Sequence, residues 1–136
     1  MKTLLIGYGN SLRQDDGFGN FVARSLRKNR RYECLEVLQL TPELTPILAQ
    51  FRKTIFVDIN IDAPVGVFAV PLPKKEDIFA HAISPWSLVL AAQKLYGAKI
   101  DFLVFSVGGK AFRYDENLTP PLKEAALNLI AYLKTN

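Results

Sequence analysis

A short apolar run, Leu4-Leu5-Ile6, is followed at once by Gly7-Tyr8-Gly9-Asn10-Ser11-Leu12-Arg13-Gln14-Asp15-Asp16-Gly17-Phe18-Gly19. The run reads as a short buried strand. Behind the glycines, Phe18, Phe21, Val22, Ser25 and Leu26 fall at helical spacing, which predicts a helix over 18–28. The stretch is therefore a strand-to-helix turn that opens an α/β unit. In open α/β proteins such turns lie at the carboxyl ends of the strands, where ligands bind. Gly-x-Gly also begins dinucleotide-binding turns, but Leu12 stands where the third glycine of that fingerprint belongs. The turn offers two adjacent carboxylates instead.

The remaining elements follow the same alternation. Tyr32 to Leu38 predicts a second strand. Thr41-Pro42-Glu43 opens a short helix to Phe51, confined by Pro46. Thr54-Ile55-Phe56-Val57 has no polar alternation and reads as a strand buried on both faces, ending at Asp58. A loop is expected over 60–66, then an edge strand over 67–72, because Pro71 removes a donor. Ser84 caps a helix with Pro85 in its first turn and Leu88, Ala91, Ala92 and Leu95 inward, and Gly97 stops it. Ile100 to Val107 is a further strand, broken by Gly108-Gly109. Thr119-Pro120-Pro121 starts a last helix with Leu122, Ala126, Leu129, Ile130 and Leu133 inward. The order predicts an α/β fold in three layers: a mainly parallel, twisted sheet of about five strands with helices on both faces.

At 136 residues and 49% apolar, the chain fits one domain, 1–136, with a proper core. A net charge of +4 is too mild to argue for nucleic acid. Arg24, Arg27, Lys28, Arg30 and Arg31 read as a solvated face at a helix C-terminus, with a docking patch for an acidic partner as the competing reading. A single cysteine, Cys34, excludes an intramolecular disulfide and a cysteine-only metal site, and suits a reduced, cytoplasmic setting. Thr3 to Ile6 is too short for the apolar region expected of a signal peptide, and no apolar run reaches the length of a membrane span. Nothing in the helices argues for more than a monomer.

Several catalytic schemes drop out. There is no Gly-x-Ser-x-Gly elbow and no His-Glu-x-x-His. Cys34 lies mid-strand and is a poor nucleophile. Three groups from three separate turns remain: Asp16, Asp58 and the only histidine, His81. Taken singly, each has a plainer reading. Asp16 can cap a helix, in competition with Asp15; Asp58 can close an Asx turn; His81 can be a surface residue. Taken together, they fall over one edge of a parallel sheet. Two adjacent carboxylates repel unless a proton or a cation intervenes. An ion held by oxygen and nitrogen donors suits nickel, zinc or manganese, and three protein ligands leave positions open for water or substrate. Such an ion polarises a peptide carbonyl or lowers the pKa of bound water.

The motif Gly-x-Gly-Asn-x-Leu-x-x-Asp-(Asp/Glu)-Gly-x-Gly, here Gly7 to Gly19, resembles the opening of the hydrogenase maturation proteases. The resemblance implies a phosphorylase/hydrolase-like α/β fold. It implies an endopeptidase that removes the C-terminal extension of a nickel-iron hydrogenase large-subunit precursor after nickel insertion. It assigns the metal-sensing roles to Asp16, to Asp58 in Ile55-Phe56-Val57-Asp58, and to His81 in His81-Ala82-Ile83-Ser84-Pro85-Trp86-Ser87-Leu88. Nickel would then arrive with the precursor, while zinc or another divalent ion could occupy the same ligands. Gly9, Asn10, Asp15 and Gly17 would shape the cleft, with Asp15 also a candidate base. The last two stretches that resemble the family are Ala63-Pro64-Val65-Gly66-Val67 and Leu118-Thr119-Pro120.

The chain departs from the family pattern in places. The family's Gly-Gly-Thr turn is replaced by Gln39-Leu40-Thr41-Pro42-Glu43, which would border the same cleft. Some members carry Ile-Ser-Pro-His, with histidine where this chain has Trp86. On that alignment the third ligand would be lost and His81 incidental. The Pro85 and Leu88 spacing favours His81, and Trp86 then reads as a groove wall or half-buried surface residue. The chain is also shorter than many members. A non-catalytic binder of a nickel-loaded partner is the alternative on this scaffold, and a nucleotide or nucleoside enzyme is a third reading.

Overall fold

The computed structural model describes residues 1–69 and 83–135. Strand β1 (Thr3–Tyr8) leads through a 3-10 turn at Gln14–Gly17 into α1 (Phe18–Ser25). Strand β2 (Tyr32–Val37) follows, then a 3-10 turn at Pro42–Leu44 and α2 (Thr45–Leu48). After β3 (Lys53–Val65) come β4 (Phe68–Ala69), α3 (Pro85–Tyr96), β5 (Asp101–Gly108) and α4 (Pro120–Thr135). The strand order is β2-β1-β3-β5-β4. The first four are mutually parallel, and β4 lies antiparallel to β5 at the edge.

Two cores flank the sheet, so the expected three layers are present. Helices α1 and α4 cover one face, where Phe18, Val22, Leu122, Ala126 and Leu129 pack on Leu5, Ile55 and Val57. Helices α2 and α3 cover the other, where Leu48, Leu88 and Ala92 pack on Leu4, Ile6 and Phe56. The connection from β1 runs to β2 on one side, and the chain then crosses to β3 on the other side of β1. The crevice at the carboxyl ends of β1 and β3 is thus a topological switch point.

Glycine decides how closely α1 sits on that crevice. A Cβ on Gly7 would lie 1.9 Å from the Gly19 carbonyl oxygen, and one on Gly19 would lie 2.3 Å from the Val57 carbonyl oxygen. Both clashes are with backbone, which cannot swing aside. Gly19→Ala is expected to destabilise the fold by about 2–3 kcal/mol, measured by urea denaturation, because the start of α1 must lift off β1 and β3.

Several expected boundaries move. Helix α1 ends at Ser25, short of Lys28; the chain turns through Asn29, whose side-chain oxygen accepts the Arg31 N–H at 2.9 Å. The predicted helix from Thr41 to Phe51 is a 3-10 turn followed by the four residues of α2. The largest change is in β3. Asp58 does not end the strand, and 60–66 is not simply a loop: β3 continues to Val65, with a break in register between Asn60 and Val65 opposite Gly108. Asn60, Asp62, Pro64 and Gly66 read locally as turn residues, but pairing with the end of β5 holds the segment in the sheet. In α3, Ser84 and Ser87 form reciprocal capping bonds and Gly97 takes a left-handed conformation at φ 64°, both as expected. Leu95, expected inward, is 68% exposed, and Val89 is buried instead. Of the edge strand expected over 67–72, Phe68–Ala69 pair with β5, and Pro71 lies outside the described residues.

The basic cluster is largely engaged in structure. Arg24 and Arg27 both bind the Glu36 carboxylate on β2. Arg31 and the Tyr32 hydroxyl both donate to the Leu133 carbonyl, each at 2.6 Å, and satisfy the end of α4. Trp86 is half-buried, edge-on to Phe102 with ring centroids 6.2 Å apart. Burial pushes the Cys34 thiol up to about 11, so this cysteine is an unreactive packing residue. Among the described residues no helix is long and apolar enough to cross a membrane.

Candidate functional site

Strand β1 pairs with β3 only as far as Gly7 opposite Val57. Asp58 is the next residue of β3, and it lines the crevice together with Tyr8, the last residue of β1. The chain leaves β1 through Gly9, at φ +141°. A Cβ on Gly9 would lie 2.1 Å from the Asp16 carbonyl oxygen and 3.2 Å from Asp16 Oδ1. The absence of that Cβ lets the 3-10 turn fold back over the strand end. The turn is then fastened: the Asn10 N–H donates to Asp16 Oδ2 at 2.8 Å, and Asn10 Oδ1 accepts the Leu12 N–H at 3.0 Å. Asn20 Nδ2 donates to the Gly9 carbonyl at 2.7 Å.

Asp16 and Asp58 consequently line one cavity of about 540 Å³, together with Tyr8 and Gly9. Its wall is the turn from Leu38 to Pro42, which replaces the glycine-bearing turn, and Ile83 closes another side. Burial pushes the Asp58 carboxyl up to about 6; the Asp16 charge acts in the same direction, while hydrogen bonds from the Ile59 backbone and the Tyr8 side chain oppose it. The Tyr8 phenol is pushed upward, by burial first and then by the Asp58 charge, so it stays a protonated donor. The cavity is an acidic hollow with an apolar rim, and one of its carboxylates is held at a cost in free energy. That cost is relieved by a proton, or by a cation brought between the two acids.

Asp15 does something else. It is 1% exposed and does not line the cavity. Its Oδ2 accepts the N–H groups of Lys110 and Ala111, both at 3.2 Å. Its Oδ1 accepts the Thr119 N–H at 3.0 Å and the Thr119 hydroxyl at 2.7 Å. Four donors occupy this carboxylate, so it is not free to act as a base. It joins the glycine-rich turn to the end of β5 and the start of α4. Gln14, at φ 48°, is held beside it: its N–H donates to the Asp115 carbonyl at 2.8 Å and its Oε1 accepts the Arg113 N–H at 3.0 Å. Gly17 packs on Ser11, where a Cβ would meet Ser11 Cα at 3.0 Å.

His81 lies outside the described residues. Among the described residues, no set of three His, Cys, Asp or Glu side chains stands close enough to hold an ion. Asp16 and Asp58 supply two oxygen donors, and Ile83, two positions after His81, lines the same cavity.

No protein-family profile and no curated protein matches the chain. Solved structures do. The nickel-iron hydrogenase maturation protease HycI from Thermococcus kodakarensis KOD1 matches at 22% identity with a TM-score of 0.76, over 98% of this chain and 90% of that one. The hydrogenase maturating endopeptidase HybD from E. coli matches at 23% identity and 0.68, over 99% and 93%. The chain has the fold of the hydrogenase maturation proteases. Hydrogenase 2 maturation peptidase from Thaumarchaeota archaeon SCGC_AB-539-E09 shares it at 19% identity and 0.70, over 98% and 96%. The expected α/β architecture is therefore the maturation-protease fold over nearly the whole chain.

Two residues of the site had not been singled out. Tyr8 lines the cavity beside Asp58 from the neighbouring strand, and Asn20 fixes the Gly9 carbonyl from α1. Tyr8 stands at the strand end within the motif itself, which was a usable signal. Asn20 carries none beyond its place one residue after Gly19.

Proposed function

We propose that the chain is an endopeptidase that removes the C-terminal extension of a nickel-iron hydrogenase large-subunit precursor after nickel insertion. The observation that carries the reading is the meeting of Asp16 and Asp58 in one cavity at the switch point of this fold. Asp16, Asp58 and His81 are assigned to sensing the nickel, which belongs to the precursor and is part of the substrate. The two carboxylates suit a cation because each relieves the other's repulsion by sharing it. A bound divalent ion supplies Lewis acidity toward a peptide carbonyl or water. The protein's own part is to hold the two acids over the crevice, to seat the precursor tail against the wall from Leu38 to Pro42, and to exclude bulk water. The setting is cytoplasmic, with the precursor as partner and a monomer as the working unit.

The test is to mix the protein with nickel-loaded and nickel-free precursor and follow precursor mass. Loss of a C-terminal peptide from the loaded form alone is the expected result. Cleavage of neither form, with a stable complex on the loaded one, would establish the second reading, a non-catalytic binder. That reading is favoured by one feature, the glycine-free wall at Gln39–Pro42. His81→Ala is expected to abolish processing while circular dichroism and thermal midpoint stay as in the wild type; normal cleavage by this variant would remove His81 from the site.

A further inference from the structure

Strand alternation places Tyr8 on the same face of β1 as Leu4 and Ile6, against the core formed with α2 and α3. Phe56 lies on that face of β3, so Asp58, two residues on, does too. The register Ile6 opposite Phe56 and Gly7 opposite Val57, extended by one step, sets Tyr8 beside Asp58. Both side chains line the cavity, so the Tyr8 hydroxyl and the Asp58 carboxylate share one wall of it. Asp16 has its own tether in the Asn10 N–H. Asp16 thus has a backbone donor, and the donor-bearing side chain set beside Asp58 is that of Tyr8. Asn10 offers backbone, which any residue there would supply. Tyr8 offers a side chain, which this position must supply.

We infer that Tyr8 is a positioning residue for Asp58: its hydroxyl, fixed by the packing of its ring beside β3, engages the Asp58 carboxylate and holds it turned toward Asp16 and the incoming substrate. The inference rests on the cavity being the reaction site. It assigns no bond-making step to Tyr8, which acts through Asp58. A merely structural Tyr8 would affect stability and nothing else. A positioning Tyr8 affects turnover once substrate is bound, because a carboxylate free to rotate spends less time in the productive orientation.

Tyr8→Phe keeps the ring and removes only the hydroxyl, so it separates the two roles. Processing of nickel-loaded precursor by this variant is expected to show kcat lowered about 10–100-fold, KM within about twofold of wild type, and a thermal midpoint close to wild type. Wild-type kcat in Tyr8→Phe overturns the inference. A second arm does not depend on activity. In proton NMR the Tyr8 hydroxyl is expected as a slowly exchanging resonance, assigned by its loss in Tyr8→Phe and lost also in Asp58→Leu. If the wild type cleaves no precursor, the proposed function fails, and this arm alone decides the link: a hydroxyl signal indifferent to Asp58→Leu overturns it, and a signal lost with Asp58 supports it.

Discussion

Replacing Asp15 by alanine is expected to destabilise the protein by about 3–5 kcal/mol, enough to lower the thermal midpoint by roughly 10 °C or more. The carboxylate is 1% exposed and accepts from Lys110, Ala111 and twice from Thr119. Removing it leaves these donors without their acceptor, and each unsatisfied buried group costs about 1–3 kcal/mol. Asp15→Asn is expected to be nearly as harmful. Its amide would bring two further donors to a place where only acceptors are wanted. Differential scanning calorimetry at neutral pH measures both. A midpoint within about 2 °C of wild type for Asp15→Ala would show that the bridge carries little of the stability.

Asp58→Asn is expected to do the reverse: raise stability while abolishing processing. Burial pushes the Asp58 carboxyl from 3.8 up to about 6. The folded state therefore holds its proton to higher pH than the unfolded chain does. Below about pH 4 both states are protonated and the group contributes no penalty. As pH rises from about 4 through about 6, the unfolded state ionises first and the folded state becomes relatively costly. Above pH 7 the penalty is complete, at about 2 kcal/mol after allowing for partial solvent access. Asparagine removes it. In metal-free buffer the thermal midpoint of Asp58→Asn should exceed that of wild type at pH 8 and converge on it near pH 4. Equal midpoints at pH 8 would mean that the carboxylate is solvated in the folded protein. Loss of processing by at least 100-fold in the same variant would place the strain where the substrate-borne ion relieves it.

These two aspartates also mark how far the sequence could be read. The glycine-rich turn, the buried run before Asp58 and the alternation of strands and helices carry local signals, and they led to the right architecture and to the meeting of Asp16 with Asp58. The roles of neighbouring residues carry none. Asp15 and Asp16 are adjacent acids in one turn, yet one serves the core and the other the cavity. Only the partners distinguish them, and Lys110 and Thr119 lie about a hundred residues along the chain. The role of Tyr8 is not legible locally, because its neighbour is set by β1–β3 register, which periodicity cannot supply. The course of β3 departs from the local pattern for the opposite reason: Asn60, Asp62, Pro64 and Gly66 signal a turn clearly, and a long-range pairing with Gly108 overrides them. The wall at Gln39–Pro42 was anticipated at the cleft from resemblance alone and lines it.

The bridge from Asp15 to Thr119 has a consequence for how the protein is born. The loop that carries Asp16 leaves the ribosome about a hundred residues ahead of the groups that fasten it, at 110, 111 and 119. A nascent chain can form β1 and α1 early, but its acidic hollow cannot settle until residues 110–119 have followed. Until α4 docks, the turn that carries Asp16 lacks its fastening to Thr119.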